Sequence, residues 1–402
     1  MAIPTSGLKR FFFTLLTLGA GCFLALLLLE GMLRVYNPFG TRIHGSHIVL
    51  ARNRKYVYRN REITKLDPVI TEYRNSLGFR GPDPPKEFAN DLTIVTVGGS
   101  TTHCLYLSDS KTWPTQLSNR LQTTFPNVWV DNAGLDGHST IAHIALLEDH
   151  VIKLHPKVVT FLIGRNDMAH TDLGDFDADG LRSSVSWKTP QDFLYSMSGY
   201  SEVASLTLDT YRTITSYRLG LTHENVDLAK VKYEDPSSEE EAQYLAKHKA
   251  SQPAYADRVK QLIEMCRRNH IEPVLITQPM LAGPVTDDVT HVDLARIKVS
   301  QHCRCNGEMW WDALEMYNDT TRKVARENNV ILVDLAKEMP KSSRYFYDFV
   351  HFTNEGAQKV ADIIDSSLCP ALASKFPNQA KGTCSVPVPS FSTSNLPAGA
   401  HN

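Results

Sequence analysis

The sequence carries almost no net charge, and this is the first constraint on its function. Its 402 residues include 42 Lys and Arg against 44 Asp and Glu, a formal net charge of −2 at pH 7. Nucleic-acid-binding domains are typically basic, so the composition gives no reason to expect a nucleic-acid partner. The chain also lacks an internal repeat, and no predicted strand is followed by the Gly-Lys-Ser/Thr of a phosphate-binding loop. What is present, 42% hydrophobic residues, suits a globular domain with a sizeable core.

Cysteine is scarce, with seven residues in the chain. Apart from Cys22, the cysteines are Cys104, Cys266, Cys303, Cys305, Cys369 and Cys384. An even number permits disulfides in an oxidising compartment, and Cys369 with Cys384 is the leading pair. The run from His302 to Cys305 could instead be part of a metal site, but no second ligand pair of matching spacing accompanies it. The sequence therefore predicts no metal centre.

Long hydrophobic runs are limited to one place, residues 11–29, which contain no charged side chain. Roughly 20 apolar residues span the core of a bilayer, so this run predicts a single transmembrane helix that anchors the chain. A cleaved signal peptide would have a shorter apolar region, and a buried core helix is the alternative. Lys9 and Arg10 favour a cytoplasmic amino terminus, with residues 1–35 as stub and anchor and the following domain outside the cytoplasm.

Strand and helix patterns alternate through the centre of the chain, from residue 91 to residue 376. Strands are predicted at 92–97, 128–132, 158–163, 273–277 and 330–334, and helices at 113–124, 141–154, 254–269, 313–327 and 354–367. This alternation predicts right-handed crossovers and a parallel sheet with helices on both faces. The predicted fold class is therefore α/β, a three-layer sandwich, with the transmembrane helix added at the amino terminus.

Three other segments flank or interrupt this domain. Residues 36–90 form a polar, arginine-rich lead-in, in which Arg80 either supports surface packing or lies near the functional site. Residues 168–253 form an insertion after the third strand, with a length typical of a lid, a subdomain or a partly disordered segment. Residues 377–402 are rich in Asn, Pro, Ser, Ala and Gly, and we expect them to be a disordered tail.

The stretch 92–102 places a serine at a tight turn. Its β-branched and apolar residues predict a strand buried on both faces, and this strand ends in Gly98, Gly99 and Ser100. Glycines permit a turn too tight for side chains, and open α/β sheets keep their sites at the carboxyl ends of strands. Ser100 is therefore a candidate nucleophile, although a serine that only caps the next helix would give the same pattern.

Candidate partners for Ser100 stand after other strands. Asp348 and His351 are three residues apart before the last helix, so that His351 could accept the Ser100 proton while Asp348 orients the imidazole. Gly134 and Asn166 follow the second and third strands. A backbone N–H from the first and a side-chain amide from the second would form an oxyanion hole with the Ser100 N–H.

This ordered set resembles the SGNH hydrolase superfamily, also called GDSL esterases and lipases, over roughly residues 92–367. The resemblance implies that Ser100 is the nucleophile, that Gly134 and Asn166 are oxyanion donors beside the Ser100 amide, and that His351 is the base with Asp348 as its partner. It also implies a five-stranded parallel, flavodoxin-like sheet and no metal or organic cofactor.

The run Gly98-Gly99-Ser100-Thr101 departs from the Gly-Asp-Ser-Leu of the family. The missing aspartate is outside the catalytic set, so the chemistry is retained while the substrate stays open. With the anchor, this form looks like bacterial membrane-attached members. The G-x-S-x-G turn of α/β-hydrolases is excluded because Thr102 occupies the place of the second glycine. His103 is a rival base, but we expect it to point away from Ser100 and to be structural.

The sequence thus predicts a membrane-anchored serine esterase that cleaves an O-acyl group, for instance O-acetyl, from a glycan or lipid through an acyl-enzyme on Ser100. An O-acyltransferase that passes the acyl group to a polysaccharide would use the same residues. A non-catalytic glycan-binding or assembly protein on a retained hydrolase scaffold is the third possibility, and the presence of all five site residues argues against it.

Overall fold

The centre of the fold is a five-stranded sheet. The computed structural model describes residues 5–36, 40–173, 190–218, 223, 225–301 and 303–384. The strands in these ranges are, in chain order, β1 (Arg42–His44), β2 (His47–Val49), β3 (Arg54–Arg59), β4 (Val69–Arg74), β5 (Leu92–Gly98), β6 (Val128–Asn132), β7 (Val158–Ile163), β8 (Glu272–Thr277) and β9 (Ile331–Val333).

Helices fill the connections between these strands. They are α1 (Thr5–Val35), α2 (Ser100–His103), α3 (Trp113–Leu121), α4 (Thr140–Leu146), α5 (Ile152–Leu154), α6 (Arg165–Leu173), α7 (Pro190–Ser198), α8 (Glu202–Arg218), α9 (Ser238–Arg268), α10 (Gly307–Glu327), α11 (Leu335–Glu338) and α12 (Asn354–Lys375). A π-helical segment, Leu147–Val151, joins α4 to α5, where the sequence predicted one continuous helix.

The sheet has the strand order β6-β5-β7-β8-β9, and every neighbouring pair is parallel. This is the predicted flavodoxin-like order. β5, β6 and β7 are buried along their whole length, as strands covered on both faces must be. α3 packs with α12, and α9 packs with α4 and α10. Right-handed crossovers place these two groups on opposite faces, so the predicted three-layer α/β fold is confirmed.

The chain reverses its direction across the sheet at β5 and β7. These strands are neighbours in space although β6 lies between them in the sequence. Loops that leave such strands diverge to opposite faces, and a crevice opens at their carboxyl ends. Ser100 follows β5 and Asn166 follows β7, so both predicted site residues lie at this crevice.

The lead-in forms two antiparallel hairpins, β1–β2 and β3–β4, where the sequence showed no clear period. The Arg80 N–H donates to the Asn132 carbonyl at 2.8 Å, and the Asn132 N–H donates back to the Arg80 carbonyl at 3.2 Å. The lead-in is therefore fixed to the end of β6, at the same edge of the sheet as the crevice.

The described part of the insertion contains the end of α6, the whole of α7 and α8, and the first half of α9. α9 begins at Ser238, well before the predicted start at 254, because Ser237 and Glu240 form a reciprocal capping box. The helix continues through Pro253, which removes only one backbone donor while later residues such as Tyr255 and Leu262 are fully buried. The predictions for residues 174–189 and for tail residues 385–402 fall outside the described residues.

α1 contains a segment, Lys9–Val35, that is long and apolar enough to cross a membrane, with a mean hydropathy of 2.4 and none of its most apolar window buried. This result rests on length and composition, which a signal sequence shares. The carboxyl end of the helix contacts the insertion. The Glu30 carboxylate accepts hydrogen bonds from the Ser201 hydroxyl at 2.9 Å and from the N–H groups of Glu202 and Val203 at 3.1 Å, so it caps α8.

Four cysteines are paired. Cys369 and Cys384 form the predicted disulfide, which ties the end of the described chain to α12. Cys303 is bonded to Cys305, which leaves neither thiolate of that pair free to hold a metal ion. Cys22, Cys104 and Cys266 are free thiols.

Candidate active site

Ser100 lies at the first position of α2, immediately after the turn at the end of β5. A Cβ added at Gly98 would lie 2.1 Å from Thr102 Oγ1, and one added at Gly99 would lie 2.2 Å from Asn166 Nδ2. No side chain fits at either position, so the two glycines permit this close packing. The turn presents the Ser100 hydroxyl to the crevice.

The structure brings Ser100, His351 and Asp348 into one hydrogen-bonded chain. Ser100 Oγ lies 2.7 Å from His351 Nε2, and His351 Nδ1 lies 2.6 Å from Asp348 Oδ2. The other carboxylate oxygen of Asp348 accepts the backbone N–H groups of Val350 and His351 at 2.8 and 2.7 Å. The backbone of the tight loop that precedes α12 therefore holds the Asp348 carboxylate in place, and the carboxylate in turn orients the His351 imidazole.

The electrostatics of this chain favour a neutral imidazole and an ionised carboxylate. Burial lowers the pKa of His351 below its ordinary value, and the attraction of Asp348 only partly opposes this. Burial acts to raise the pKa of Asp348, but His351 and the two backbone N–H groups outweigh it and hold that pKa below its usual range. A neutral His351 can accept a proton from the serine hydroxyl.

The geometry bears differently on each of the three candidate oxyanion donors, Ser100, Gly134 and Asn166. The Ser100 N–H is at the start of a helix, where backbone N–H groups have no intrahelical acceptor. Asn166 Nδ2 donates one hydrogen to the His138 carbonyl at 2.8 Å and retains a second. The Gly134 N–H, however, donates to Asn132 Oδ1 at 2.9 Å, so it is not free for a substrate and the prediction for Gly134 is corrected.

Gly137 is the alternative donor in the same loop. It has a left-handed φ of 74°, and its N–H has no acceptor among the described residues. Its neighbour His138 lines the pocket beside Ser100 and holds Asn166. Gly137 could not be chosen over Gly134 from the sequence, because no local pattern shows that the Gly134 N–H donates to the Asn132 side chain.

Arg80 and His103 support the turn from behind. The Arg80 guanidinium is buried and donates to the carbonyls of His103 and Cys104 at 2.8 Å, and also to that of Leu107. The His103 ring lies between Asp136 Oδ1 at 2.7 Å and a carboxylate of β4, and it makes no hydrogen bond with Ser100. The structural interpretation of His103 is thus supported, and Arg80 acts on the site through the backbone after Ser100.

A second imidazole, His223 of the insertion, packs on His351 with the ring centroids 4.1 Å apart. Its Nδ1 lies 2.7 Å from the Tyr347 hydroxyl, and its Nε2 lies 3.2 Å from Asp136 Oδ2. Burial acts to lower the pKa of His223, but Asp136 outweighs it and raises that pKa above its ordinary value. The sequence analysis missed this residue, because a lone histidine in a long insertion carries no motif.

His223, Asp348 and His351 are also close enough together to hold a metal ion. All four of the imidazole nitrogens in this group already have hydrogen-bond partners, which are Ser100 Oγ, Asp348 Oδ2, the Tyr347 hydroxyl and Asp136 Oδ2. A metal ion would have to replace the hydrogen bonds that assemble the site. The donor set therefore fits acid–base chemistry better than metal binding.

Two pockets flank Ser100. The first, called the polar pocket below, is lined by the polar side chains of His138, His143, Arg165 and Asn166 together with Gly99. The second is lined by Tyr106, Leu107, Tyr347 and Phe352 together with His351. Substrate groups on either side of a reacting ester could therefore enter one pocket each.

Among the comparisons with known proteins, only the solved structures include matches to this chain. No family model matches the sequence, and no curated protein matches it. An acetyl xylan esterase, AlAXEase, is 15% identical, with 69% of this chain and 99% of that chain covered and a TM-score of 0.38. An acetylxylan esterase from Geobacillus stearothermophilus is 15% identical, with 68% and 91% covered and a TM-score of 0.36.

A third similar structure is a lipolytic protein of the G-D-S-L family from Desulfitobacterium hafniense. It is 12% identical, with 68% of this chain and 97% of that chain covered and a TM-score of 0.34. This is the family that the sequence motifs resemble. At TM-scores below 0.5 these likenesses assign no activity to the chain, so the chemistry is argued from the geometry of its own residues.

Replacing Arg80 with Met tests its support of the turn. The substitution leaves the buried carbonyls of His103, Cys104 and Leu107 without their donor, so we expect the free energy of unfolding in urea to fall by about 3 kcal/mol or more. Arg268→Met is the control, because its ion pair with Glu264 on α9 is exposed to solvent, and its loss should cost less than about 1 kcal/mol. Equal small losses in both variants would contradict the role given to Arg80.

Proposed function

We propose that the chain is a serine hydrolase of the SGNH type that cleaves a short acyl ester. The observation that carries this proposal is the continuous hydrogen-bonded chain from Ser100 Oγ through His351 to Asp348, with links of 2.7 and 2.6 Å. Such a chain supplies the three functions that acyl transfer requires, namely a nucleophile, a base within hydrogen-bond reach and a group that orients the base.

The mechanism follows from this geometry. As Ser100 Oγ attacks the ester carbonyl carbon, His351 Nε2 takes the hydroxyl proton, and Asp348 stabilises the imidazolium that forms. The carbonyl oxygen becomes an oxyanion, to which the N–H groups of Ser100, Gly137 and the Asn166 side chain donate. His351 then gives its proton to the departing alcohol oxygen, which leaves an acyl-enzyme on Ser100. Water activated by His351 releases the acid and restores the serine.

The side chains beside His351 support an acyl group as the part transferred. The pocket there is lined by Tyr106, Leu107 and Phe352, which an acetyl or similar short group on a glycan or lipid would contact. If a sugar hydroxyl replaces water in the last step, the same acyl-enzyme produces an acyltransferase, and product analysis separates the two outcomes.

We also propose that α1 anchors this domain in a membrane. The most apolar window of the helix packs against no other part of the described structure, so it offers an apolar surface that only lipid would cover. Contacts with the domain begin near its carboxyl end, where Glu30 caps α8 and Leu33 is buried. α1 thus has an exposed apolar segment followed by a carboxyl end that contacts the domain. This arrangement fits a transmembrane helix that ends where the domain begins.

Ser100→Ala tests the proposed nucleophile. We expect hydrolysis of 4-nitrophenyl acetate to fall about 10³-fold or more, and a fluorophosphonate probe to label the wild type but not the variant. Ser118→Ala on α3, outside both pockets, is the matched control. Equal turnover and equal labelling in the two proteins would exclude Ser100 as the nucleophile.

The pH profile tests the role of His351. Protonated His351 cannot accept the serine proton, so activity should be lost as the pH falls through its pKa. Because burial lowers that pKa, we expect the acid limb of kcat/KM to have its midpoint below pH 6.5. The charge of His223 lowers the pKa of His351 further, so His223→Gln should move the midpoint to higher pH. His291→Asn, on an exposed loop, should leave it unchanged; an unmoved midpoint in His223→Gln would refute the coupling.

Charges placed in α1 test the anchor. Leu16 and Leu24 are 71% and 58% exposed, and an arginine at the centre of a span costs about 2.5–3.5 kcal/mol by insertion scales. We expect the double variant Leu16→Arg, Leu24→Arg to be lost from membranes washed at alkaline pH, while Leu16→Ile, Leu24→Ile remains. Recovery of wild-type protein in the soluble fraction, with its amino terminus removed, would identify a signal sequence instead.

A further inference from the structure

Arg165 is a partly buried cation that forms no ion pair with a described residue. It begins α6 directly after β7 and Gly164, next to Asn166, and it lines the polar pocket beside Ser100. Its Nε and Nη1 atoms are buried and have no hydrogen-bond partner among the described residues. One face of its guanidinium packs on the Trp310 ring at 4.4 Å from the centroid. The burial of the guanidinium lowers the pKa of Arg165.

Within the described part of the chain, each arginine that is buried contacts a carboxylate. Arg322 contacts the carboxylates of Glu315, Asp319 and Asp334. Arg80 pairs with Asp109 in addition to its backbone acceptors. A buried charge is usually paired, because leaving it unpaired costs more than removing it. The position of Arg165 therefore calls for a partner that is not a described part of the chain.

The acids nearest to Arg165 are engaged elsewhere. Asp172 accepts from Tyr244 and His248, at 3.3 and 3.0 Å. Asp348 holds His351 and two backbone N–H groups. Neither carboxylate forms an ion pair with Arg165, although both act on it through space.

The rest of the polar pocket contains no acid. Burial lowers the pKa of His138 well below its ordinary value and that of His143 to about 4, so both imidazoles are neutral near pH 7. His138 Nδ1 is buried without a partner among the described residues. The pocket beside the candidate nucleophile thus combines a fixed positive charge with a neutral polar atom that lacks a partner, a setting that attracts an anion.

We propose that Arg165 binds a negatively charged oxygen group of the substrate, a carboxylate or a phosphate, that lies close to the ester carbonyl. The inference rests on the proposed esterase function and narrows its substrate class to anionic esters. Guanidinium groups bind carboxylate and phosphate oxygens through charge-assisted hydrogen bonds, and Trp310 keeps this one in a fixed plane. Arg165 is in this view a specificity-determining residue, with no part in proton transfer.

Three matched pairs of esters test whether the anionic group of the substrate lies on the acyl or the alcohol part, and whether it is a carboxylate or a phosphate. In 4-nitrophenyl succinate against 4-nitrophenyl butyrate, the charge is a carboxylate on the acyl part. In O-acetylglucuronate against O-acetylglucose, it is a carboxylate on the alcohol. In acetylglycerol phosphate against acetylglycerol, it is a phosphate on the alcohol. We expect the wild type to prefer the charged member of at least one pair by tenfold or more in kcat/KM.

Arg165→Gln should reduce that preference at least tenfold, and Arg165→Lys should restore part of it because the charge returns without the planar group. Arg120→Gln removes an equal charge from α3, outside the pocket, and should leave the preference unchanged. A wild type that discriminates within none of the pairs, or a preference that survives in Arg165→Gln, would overturn the proposal. If the wild type cleaves none of the six esters and the fluorophosphonate leaves Ser100 unlabelled, the esterase function itself fails.

Stability and binding give readouts independent of turnover. Since Arg165 lacks an anion in the free protein, Arg165→Gln should not lower the midpoint of urea unfolding, whereas loss of a structural arginine would lower it. In the Ser100→Ala background, inorganic phosphate or acetate should raise the thermal midpoint, and the rise should disappear with Arg165→Gln. A lowered urea midpoint together with an anion response that remains would assign Arg165 a structural role.

Discussion

The site depends on how closely the end of β5 approaches the end of β7. The two strands are in parallel register, with Gly98 opposite Leu162. The turns that follow β5 and β7 therefore lie side by side at the carboxyl edge of the sheet. Gly99 has no room for a side chain because Asn166 occupies that space. The packing of the backbone at Gly99 therefore fixes the Ser100 hydroxyl and the Asn166 amide relative to each other.

A network of alternating acids and imidazoles surrounds this turn. Asp136 lies between His103 and His223, and Glu72 binds the far side of His103. Burial opposes ionisation of Glu72, but His103 and nearby arginines outweigh it and lower its pKa to about 2. Because the carboxylates stay charged, they hold the loop that contains Gly137 from one side, while His223 reaches His351 from the other. Donors and base are thus positioned by the same chain of contacts.

The parts of the site that sequence reasoning could reach are those fixed by local chemistry. Ser100 follows a buried strand and two glycines, and only two residues separate Asp348 from His351, so short-range patterns suffice. The fold was equally accessible, because alternating strands and helices leave few topologies. The helix α9 was predicted only from residue 254, although the capping box at its true start, Ser237 with Glu240, is a local pattern.

What sequence reasoning could not reach depends on contacts between distant segments. Asn132 takes the Gly134 N–H, which transfers the proposed donor role to Gly137, and neither residue type distinguishes the two glycines. His223 comes to His351 from an insertion with no motif. Arg165 precedes Asn166 directly in the sequence, but only the three-dimensional structure shows that two of its guanidinium nitrogens have no hydrogen-bond partner among the described residues.

The insertion gives these separate features a common origin. Its helix α8 is capped by Glu30 near the end of the apolar helix α1, and Glu202 of the same helix pairs with Arg42 of β1. The same insertion supplies His223, whose ring lies on the imidazole that faces Ser100. The turn after β5 and the loop before α12 hold the proposed nucleophile, base and acid without the insertion. The insertion places a second titratable group, His223, against His351. Its helix α8 contacts α1, the helix that would enter the membrane. Because neutral His351 is the form that accepts a proton, the segment that contacts α1 also sets how readily the base is available.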